Sequence, residues 1–372
     1  MFFVSFATDV KNNFKLYICI LVSGWIAVKY FSRILIIVIL FLPGCESDNT
    51  PSVDSRTNRI NMYTGAIINF LHEQNLPELE SVEPWENDYG PGLKLATAHY
   101  EIFTTLLNRQ MLSEIPHFIE SAYQAYNSQL PREVSTSTKF RIYLLEDRTQ
   151  WEHFTKAFAG EQAEMFCKIK AGAYYYNDAC VAYDIGHDRT MSALGHEGWH
   201  QFSSRHFKYR LPSWLDEGVA MLFESYRIKD GIIVFDPSMN MYRIDALREA
   251  LLNNNIIPLR ELTAINPGQV LATDQTEGVM AFYSQSYALV RFLREANSGR
   301  RLGTYQKLIA DGLWGNWPLD EISKQIAIDR NLPRTILWNH LVGTQLFQQY
   351  VNEDFEQIEQ EYLAFCRLIT QY

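Results

Sequence analysis

Long apolar runs are scarce in this chain of 372 residues. Two occur, at 16–28 and 34–42, separated by Lys29-Tyr30-Phe31-Ser32-Arg33, and each is short for a membrane span. The body after Cys45 contains no such run, which excludes a protein buried in a bilayer along its length. Positive charge is also in short supply. Lys and Arg number 33 against 43 Asp and Glu, giving a net charge of −10. With no Lys/Arg-rich stretch and no interleaved aromatic-basic stripe, the footprint of a nucleic-acid binder is missing. The five cysteines, at 19, 45, 167, 180 and 366, form no C-x-x-C pair, so a cysteine zinc ribbon and a thioredoxin-like centre are excluded. Internal repeats and low-complexity segments are absent too. What is present is 47% hydrophobic and 14% aromatic residues, enough to bury one large core or two modest ones.

The second apolar run follows basic residues and ends in Leu42-Pro43-Gly44-Cys45. That sequence resembles the lipobox of bacterial lipoprotein signals, in which a diacylglyceryl group is attached to the cysteine before cleavage. The resemblance implies lipidation at Cys45, a lipid bilayer as partner and a body outside the cytoplasm; Glu46-Ser47 after the cysteine, in place of an aspartate, resembles sorting to the outer membrane or cell surface. Pro43 departs from the small or aliphatic residue usual there, and the residues before Lys29 exceed a normal signal peptide. Secretion or an uncleaved N-terminal anchor are the alternatives, and both place the body on the same side. Residues 1–45 are thus an export segment, and 46–93 a polar tether followed by a short helix and a loop. Export makes disulfides permissible. Cys167 and Cys180 face one another if 170–183 is a hairpin, or stay as two thiols, and Cys366 reads as a small apolar residue packed on a helix.

Periodicity predicts a helix within 61–75, a loop over 77–92, a strand in 93–106 and a helix over 113–129. A strand over 139–145, a helix over 147–159 and the 170–183 hairpin follow. A helix over 190–202 and a second over 214–226, capped by Ser213, come next. Beyond a hairpin at 230–237 the pattern is helical, near 245–253, 281–295, 302–310, 319–326 and 352–371. The expected fold class is α+β: a mixed β-sheet layer in 94–189 and a mainly helical part in 190–372.

The stretch 190–226 carries the chemistry. His196, Glu197 and His200 stand in the order H-E-x-x-H, and Glu217 follows after sixteen residues. On a helix the two histidines lie about 40° apart and about 6 Å along the axis, so both imidazoles reach one ion. A zinc ion held so needs a third protein ligand and an open position for water, and Glu197, beside that position, can take the water's proton as it attacks a carbonyl. Glu217 and Glu224, seven apart, share a helix face about 20° offset, so that one can bind metal while the other meets the far nitrogen of a metal-bound histidine. Among the other histidines, His206 points away from the pair. His187 lies in a loop before the helix and is solvated, and His99, His117, His153 and His340 have no partner spacing.

His196-Glu197-Gly198-Trp199-His200, followed by Trp214-Leu215-Asp216-Glu217-Gly218-Val219-Ala220, resembles the gluzincins of the peptidase MA clan, most closely an exported bacterial subgroup. The likeness extends over about 95–293, with specific motifs at 190–226 and 282–293. It implies a thermolysin-like zincin domain over 94–372 and one Zn2+ per chain on His196, His200 and Glu217. It also implies Glu197 as general base and Glu224 as the acid orienting a bound histidine. Tyr283 takes the place of the tyrosine that donates to the tetrahedral oxyanion, the alternative being an aromatic on the buried face of its helix; Tyr287, on the same helix face, has a lower claim. Gly172-Ala173-Tyr174 sits where the clan's aminopeptidases carry a substrate-binding edge strand. No acid occupies that strand here, which argues for an endopeptidase acting on peptide or protein substrates rather than an aminopeptidase. The alternative is a non-catalytic surface lipoprotein with a structural zinc site or a peptide-binding groove.

Overall fold

The computed structural model describes residues 17–18, 53–169, 172–267, 276–328, 338–351 and 354–371. The rest of the export segment, with Cys45, lies outside the described residues. A seven-stranded mixed sheet occupies the first half: β1 (Tyr17–Ile18), β2 (Ser81–Pro84), β3 (Leu93–Ala96), β4 (Tyr100–Thr104), β5 (Phe140–Leu145), β6 (Ala173–Tyr176) and β7 (Ala179–Tyr183). Their order is β1-β6-β7-β5-β4-β3-β2. β4–β5 and β5–β7 are parallel and the other pairs antiparallel.

The chain reaches parallel pairing through crossover helices, as it must. α1 (Val53–Glu73) precedes the sheet, α2 (Arg109–Asn127) joins β4 to β5, and α3 (Arg148–Ala159) and the short α4 (Ala163–Phe166) lead from β5 to β6. Side-chain alternation sorts the two faces. Phe140, Ile142 and Leu144 of β5, with Cys180 and Ala182 of β7, join the main core, whereas Leu145, Val181 and Tyr183 join a smaller one containing Trp151 and Phe154 of α3. Both faces being covered, β7 is buried at every position, as an inner parallel strand should be.

After the sheet come α5 (His187–His206) and α6 (Ser213–Ala220), then a small hairpin, β8 (Tyr226–Lys229) and β9 (Ile232–Phe235). α7 (Met241–Leu252), α8 (Leu259–Leu262), α9 (Thr276–Gly299), α10 (Leu302–Trp314), α11 (Glu321–Ile328), α12 (Thr344–Tyr350) and α13 (Phe355–Thr370) complete the helical half. The main core runs from Ile67 to Cys366 without a break at 189/190. No helix among the described residues is long and apolar enough to cross a membrane.

Several local expectations need correction. The tether is helical from Val53. The 77–92 loop contains β2, an edge strand in which Pro84 is tolerated because its outer side needs no ladder donor. The 93–106 strand is a hairpin, turned at 97–99 where Thr97 N donates to Tyr100 O at 2.9 Å. α2 starts four residues early, capped by Asn108, whose side chain accepts from Met111 N, so Pro116 lies inside the helix. Ser213 is no cap: Pro212 holds that position, and the Ser213 amide donates instead to Asn339 Oδ1 at 2.8 Å. α6 ends at Ala220, and a single 3-10 turn, Met221–Phe223, leads out of it. Glu224 therefore does not share a helix face with Glu217. The 170–183 hairpin forms, turning on Asn177 (φ 46°) and Asp178 (φ 61°), the left-handed pair of a tight β-hairpin. Cys167 nevertheless precedes it, on the α3 side, while Cys180 faces the main core, and Cys167, Cys180 and Cys366 are all free thiols.

Candidate metal centre

α5 lies across the main face of β6 and β7 and against α2, and every residue from Ala193 to Ser203 in it is buried. Two glycines permit this. A Cβ on Gly198 would stand 2.3 Å from Tyr126 Oη, and one on Gly195 would stand 2.3 Å from Phe223 O. Tyr126 instead uses its hydroxyl to donate to Gly195 O at 2.7 Å, tying α2 to the middle of α5. α6 returns beside α5 and presents Glu217.

His196 Nε2 and His200 Nε2 are 3.2 Å apart, and Glu217 Oε2 is 3.3 Å from the first and 3.4 Å from the second. Three electron-rich atoms thus form a near-equilateral triangle. In a regular tetrahedron with metal–ligand bonds of about 2.0–2.1 Å, the ligand atoms are about 3.3 Å apart, so the triangle has the dimensions of three zinc ligands with a fourth position left over. Among the described residues these three form the only cluster of His, Cys, Asp and Glu whose ligand atoms converge in this way. The buried His-His-Glu set can hold a metal ion, and the donors suit zinc or a neighbouring divalent transition metal.

The far nitrogens of the histidines are organised too. His196 Nδ1 is 2.8 Å from Glu224 Oε1. Glu224 also accepts from Arg243 Nη2 at 2.6 Å, Arg243 Nε at 2.8 Å and Asn240 Nδ2 at 2.8 Å. Burial works to raise the Glu224 carboxyl, but Arg243 and His196 outweigh it and hold it well below the usual range. An ionised Glu224 only accepts, so His196 carries its proton on Nδ1 and turns the Nε2 lone pair toward the other ligand atoms. His200 Nδ1 lies 3.6 Å from Asp216 Oδ1, an electrostatic contact rather than a hydrogen bond. Asp216 is itself held by Trp199 Nε1 at 3.0 Å and Ser203 Oγ at 3.2 Å.

Glu197 is fully buried, and neither carboxylate oxygen has a hydrogen-bond partner among the described residues. Burial pushes its carboxyl up to about 7, against the pull of His200 and His196. Burial works upward on Glu217 also, but His200 and His196 bring it down to about 2. Burial would lower His200; Glu217 and Asp216 reverse that and raise it. Buried carboxylate oxygens without donors are costly, and a nearby cation would favour their ionised form.

The structure thus brings together His196, Glu197, His200, Glu217 and Glu224. Tyr283, on α9, is buried in the core with its ring centre 5.3 Å from the Arg243 guanidinium carbon, which links it to the site through Arg243 and Glu224. Tyr287 turns its hydroxyl to Pro237 O and accepts from Arg291 Nη1 at 2.9 Å. The expected edge strand at Gly172, Ala173 and Tyr174 is not an edge: β6 begins at Ala173, β1 pairs along its outer side in the register Ile18↔Tyr174, and Tyr174 directs its hydroxyl to Thr155 on the α3 side. His206 packs on Phe202 and Phe140, away from the ligands. His187 is not in a loop but opens α5, and His99 and His117 are not lone: they meet Glu120 and Glu78 at 2.6 and 2.7 Å. Asp216, Asn240, Arg243 and Tyr126 escaped the sequence reading. Asp216 stands beside Glu217 in the second motif, which was a usable signal. Arg243 and Asn240 follow Glu224 at distances no periodic rule selects.

No protein-family model, curated protein or solved structure matches the chain.

Proposed function

We propose that this chain is a zinc metallopeptidase of gluzincin type, with a thermolysin-like arrangement of sheet, active-site helix and helical half, that hydrolyses internal peptide bonds. One observation carries the proposal. Three buried ligand atoms converge at 3.2–3.4 Å while neither oxygen of the intervening Glu197 has a hydrogen-bond partner among the described residues. A structural zinc site closes its fourth position with another protein ligand, and the converging set has three members.

His196, His200 and Glu217 would hold the ion, which would polarise the scissile carbonyl and acidify a bound water. Glu197 supplies the proton acceptor and, on the return, the donor to the leaving amine, both at its carboxylate oxygens. Glu224 fixes the His196 tautomer, and Arg243 and Asn240 fix Glu224. Asp216 sets the electrostatic environment of His200. The strand at Gly172, Ala173 and Tyr174 lacks an acid to grip a free amine, which supports endopeptidase over aminopeptidase specificity. The lipid tether at Cys45 and the extracytoplasmic location belong to the same proposal and rest on the 34–45 sequence; replacing Cys45 by Ala should release the protein from membranes.

A second reading, a non-catalytic metal centre, is favoured by the depth of the site: His196, Glu197 and His200 are 0% exposed and Glu217 is 2%. Glu197→Gln separates the two. On a peptide library the wild type should cleave and the variant should lose at least about a hundredfold in rate, with the metal content of both near one per chain. Equal turnover by the two proteins sinks the mechanism, and no cleavage by a metal-loaded wild type leaves the structural centre.

A further inference from the structure

α2, β9 and the 3-10 turn at 221–223 border an open groove of about 340 Å³. Ser121, Gln124 and Ser128 of α2 form one wall, Leu222 and Phe223 the floor, and Arg294 of α9 stands beside Gln129 at the far end of the wall. The opposite wall is β9, all four of whose residues line the groove, with no residue of β8. A groove lying on one face of a strand meets alternate side chains. One that meets four residues in succession runs along an edge, and here it is the edge away from β8.

The phase of the hairpin fixes which backbone groups face that groove. It turns on Asp230 (φ 53°) and Gly231 (φ 78°), and its register sets Lys229 opposite Ile232 and Arg227 opposite Val234. In a two-residue hairpin the pair flanking the turn exchanges both of its bonds, and such bonded pairs recur at every second residue. Asp236 N keeps the phase by donating to Ser225 O at 3.0 Å. Ile232 and Val234 therefore direct their amides and carbonyls to β8, and Ile233 and Phe235 direct theirs outward. None of these four outward groups has a partner among the described residues.

Arg294 supplies a second, independent observation. It donates to Gln129 Oε1 through Nη1, and its guanidinium carbon lies 5.4 Å from the ring centre of Tyr305. The next residue, Glu295, is taken by Arg291 at 2.7 Å. Among the described residues Arg294 has no acidic partner, although the chain carries a net charge of −10. We propose that the groove binds an extended peptide segment, which adds to β9 as a third strand and sets a carboxylate against Arg294. Two residues of such a segment, placed opposite Ile233 and Phe235, complete all four backbone bonds over a span of about 7 Å. The serine hydroxyls and the Gln124 amide of the α2 wall meet its polar side chains, and Ile232, 63% exposed, gains apolar cover. The metal ligands do not line the groove, so this binding needs no reaction at the metal.

Fluorescence anisotropy on the full chain tests this, in a Glu197→Gln background so that the probe is not consumed. The probe is a fluorescein-labelled hexapeptide of alternating threonine and valine. With a free C-terminal carboxylate it should bind about tenfold tighter than its C-terminal amide at low salt, and the gap should narrow as the ionic strength rises. N-methylation of alternate residues in one register should weaken binding at least about tenfold, and in the other register leave it unchanged. These readouts use no variant of the groove and decide the matter even if a groove variant fails to fold. Arg294→Gln should bind both forms as the parent binds the amide, Ser121→Trp, which fills the groove from α2, should bind neither, and chelation of metal should leave the affinity unchanged. The proposal is overturned by absence of binding, by equal binding of the two N-methylated registers, or by a carboxylate preference that survives Arg294→Gln. Binding lost on chelation places the segment at the metal centre instead, and a dimer broken by Ser121→Trp in a chain that binds no peptide gives the edge to a second copy; either result overturns it as well.

Discussion

The Arg243–Glu224 pair offers a test in which stability and metal affinity part company. Arg243 grips Glu224 through two parallel contacts of 2.6 and 2.8 Å, with side chains 1% and 4% exposed. Arg243→Met leaves Glu224 with His196 and Asn240 and no cation to balance it. Removing one partner of such a buried pair costs about 3–5 kcal/mol, a large share of the stability of an ordinary domain. The double variant Arg243→Met/Glu224→Leu replaces the pair with apolar groups of similar bulk and removes the unbalanced charge, so it should be more stable than Arg243→Met, falling short of the wild type by the cost of the His196 Nδ1 and Asn240 Nδ2 donors that lose Glu224. Metal affinity should not return with it. Without Glu224, His196 Nδ1 loses its acceptor, and the loss of such an outer partner weakens metal binding by about tenfold to a hundredfold. Urea unfolding of the metal-free proteins gives the first quantity, and competition against a chelator of known zinc affinity gives the second. A wild-type unfolding midpoint for Arg243→Met, or zinc binding by the double variant as tight as that of the wild type, would refute the role assigned to the pair.

Two further expectations follow from packing and burial. Gly198→Ala drives a methyl to 2.3 Å from Tyr126 Oη and should cost about 1–3 kcal/mol by overpacking; adding Tyr126→Phe should recover part of it, and a thermal double-mutant cycle showing strict additivity would contradict the contact. Burial and the neighbouring Arg205 lower His206 to about 4, so the native state resists a proton that the unfolded chain accepts near 6.5. Stability should therefore fall as the pH drops from about 6.5 to about 4 and level off below, by about 1–2 kcal/mol once partial exposure is discounted. His206→Phe, which fits between Phe140 and Phe202, should flatten that part of the urea midpoint profile, and an unchanged slope would exclude His206 as its source.

Much of the secondary structure could be read from local pattern. β5, α3, the 170–183 hairpin and the core of α5 fall where alternation, helical period and turn residues place them. The errors share a cause. β2 is a weak edge strand with little burial to pattern it, the turn at 97–99 interrupts an alternation that continues on both sides, and α6 ends at Ala220 although its sequence remains helix-compatible. In each case packing against distant chain overrode a weak local preference. His187, His99 and His117 were misread for the same reason, since their partners are Asp188 and Glu114, Glu120, and Glu78 with Gly231.

The sequence by itself determined that His196 and His200 lie four apart, and helical geometry then obliges their imidazoles to share a face. It also marked Glu197, Glu217 and Glu224 as acids of interest, and the apolar runs before Cys45 as a segment of different character from the body. Only the tertiary structure decided that Glu217 Oε2 completes a triangle with both Nε2 atoms, and that Glu224, off the end of α6 rather than on it, still reaches His196. It alone placed Arg243, Asn240, Asp216 and Trp199 around the ligands. A helix repeats every 3.6 residues and so writes its faces into the sequence, whereas a contact between separate elements depends on how they pack, and packing has no period.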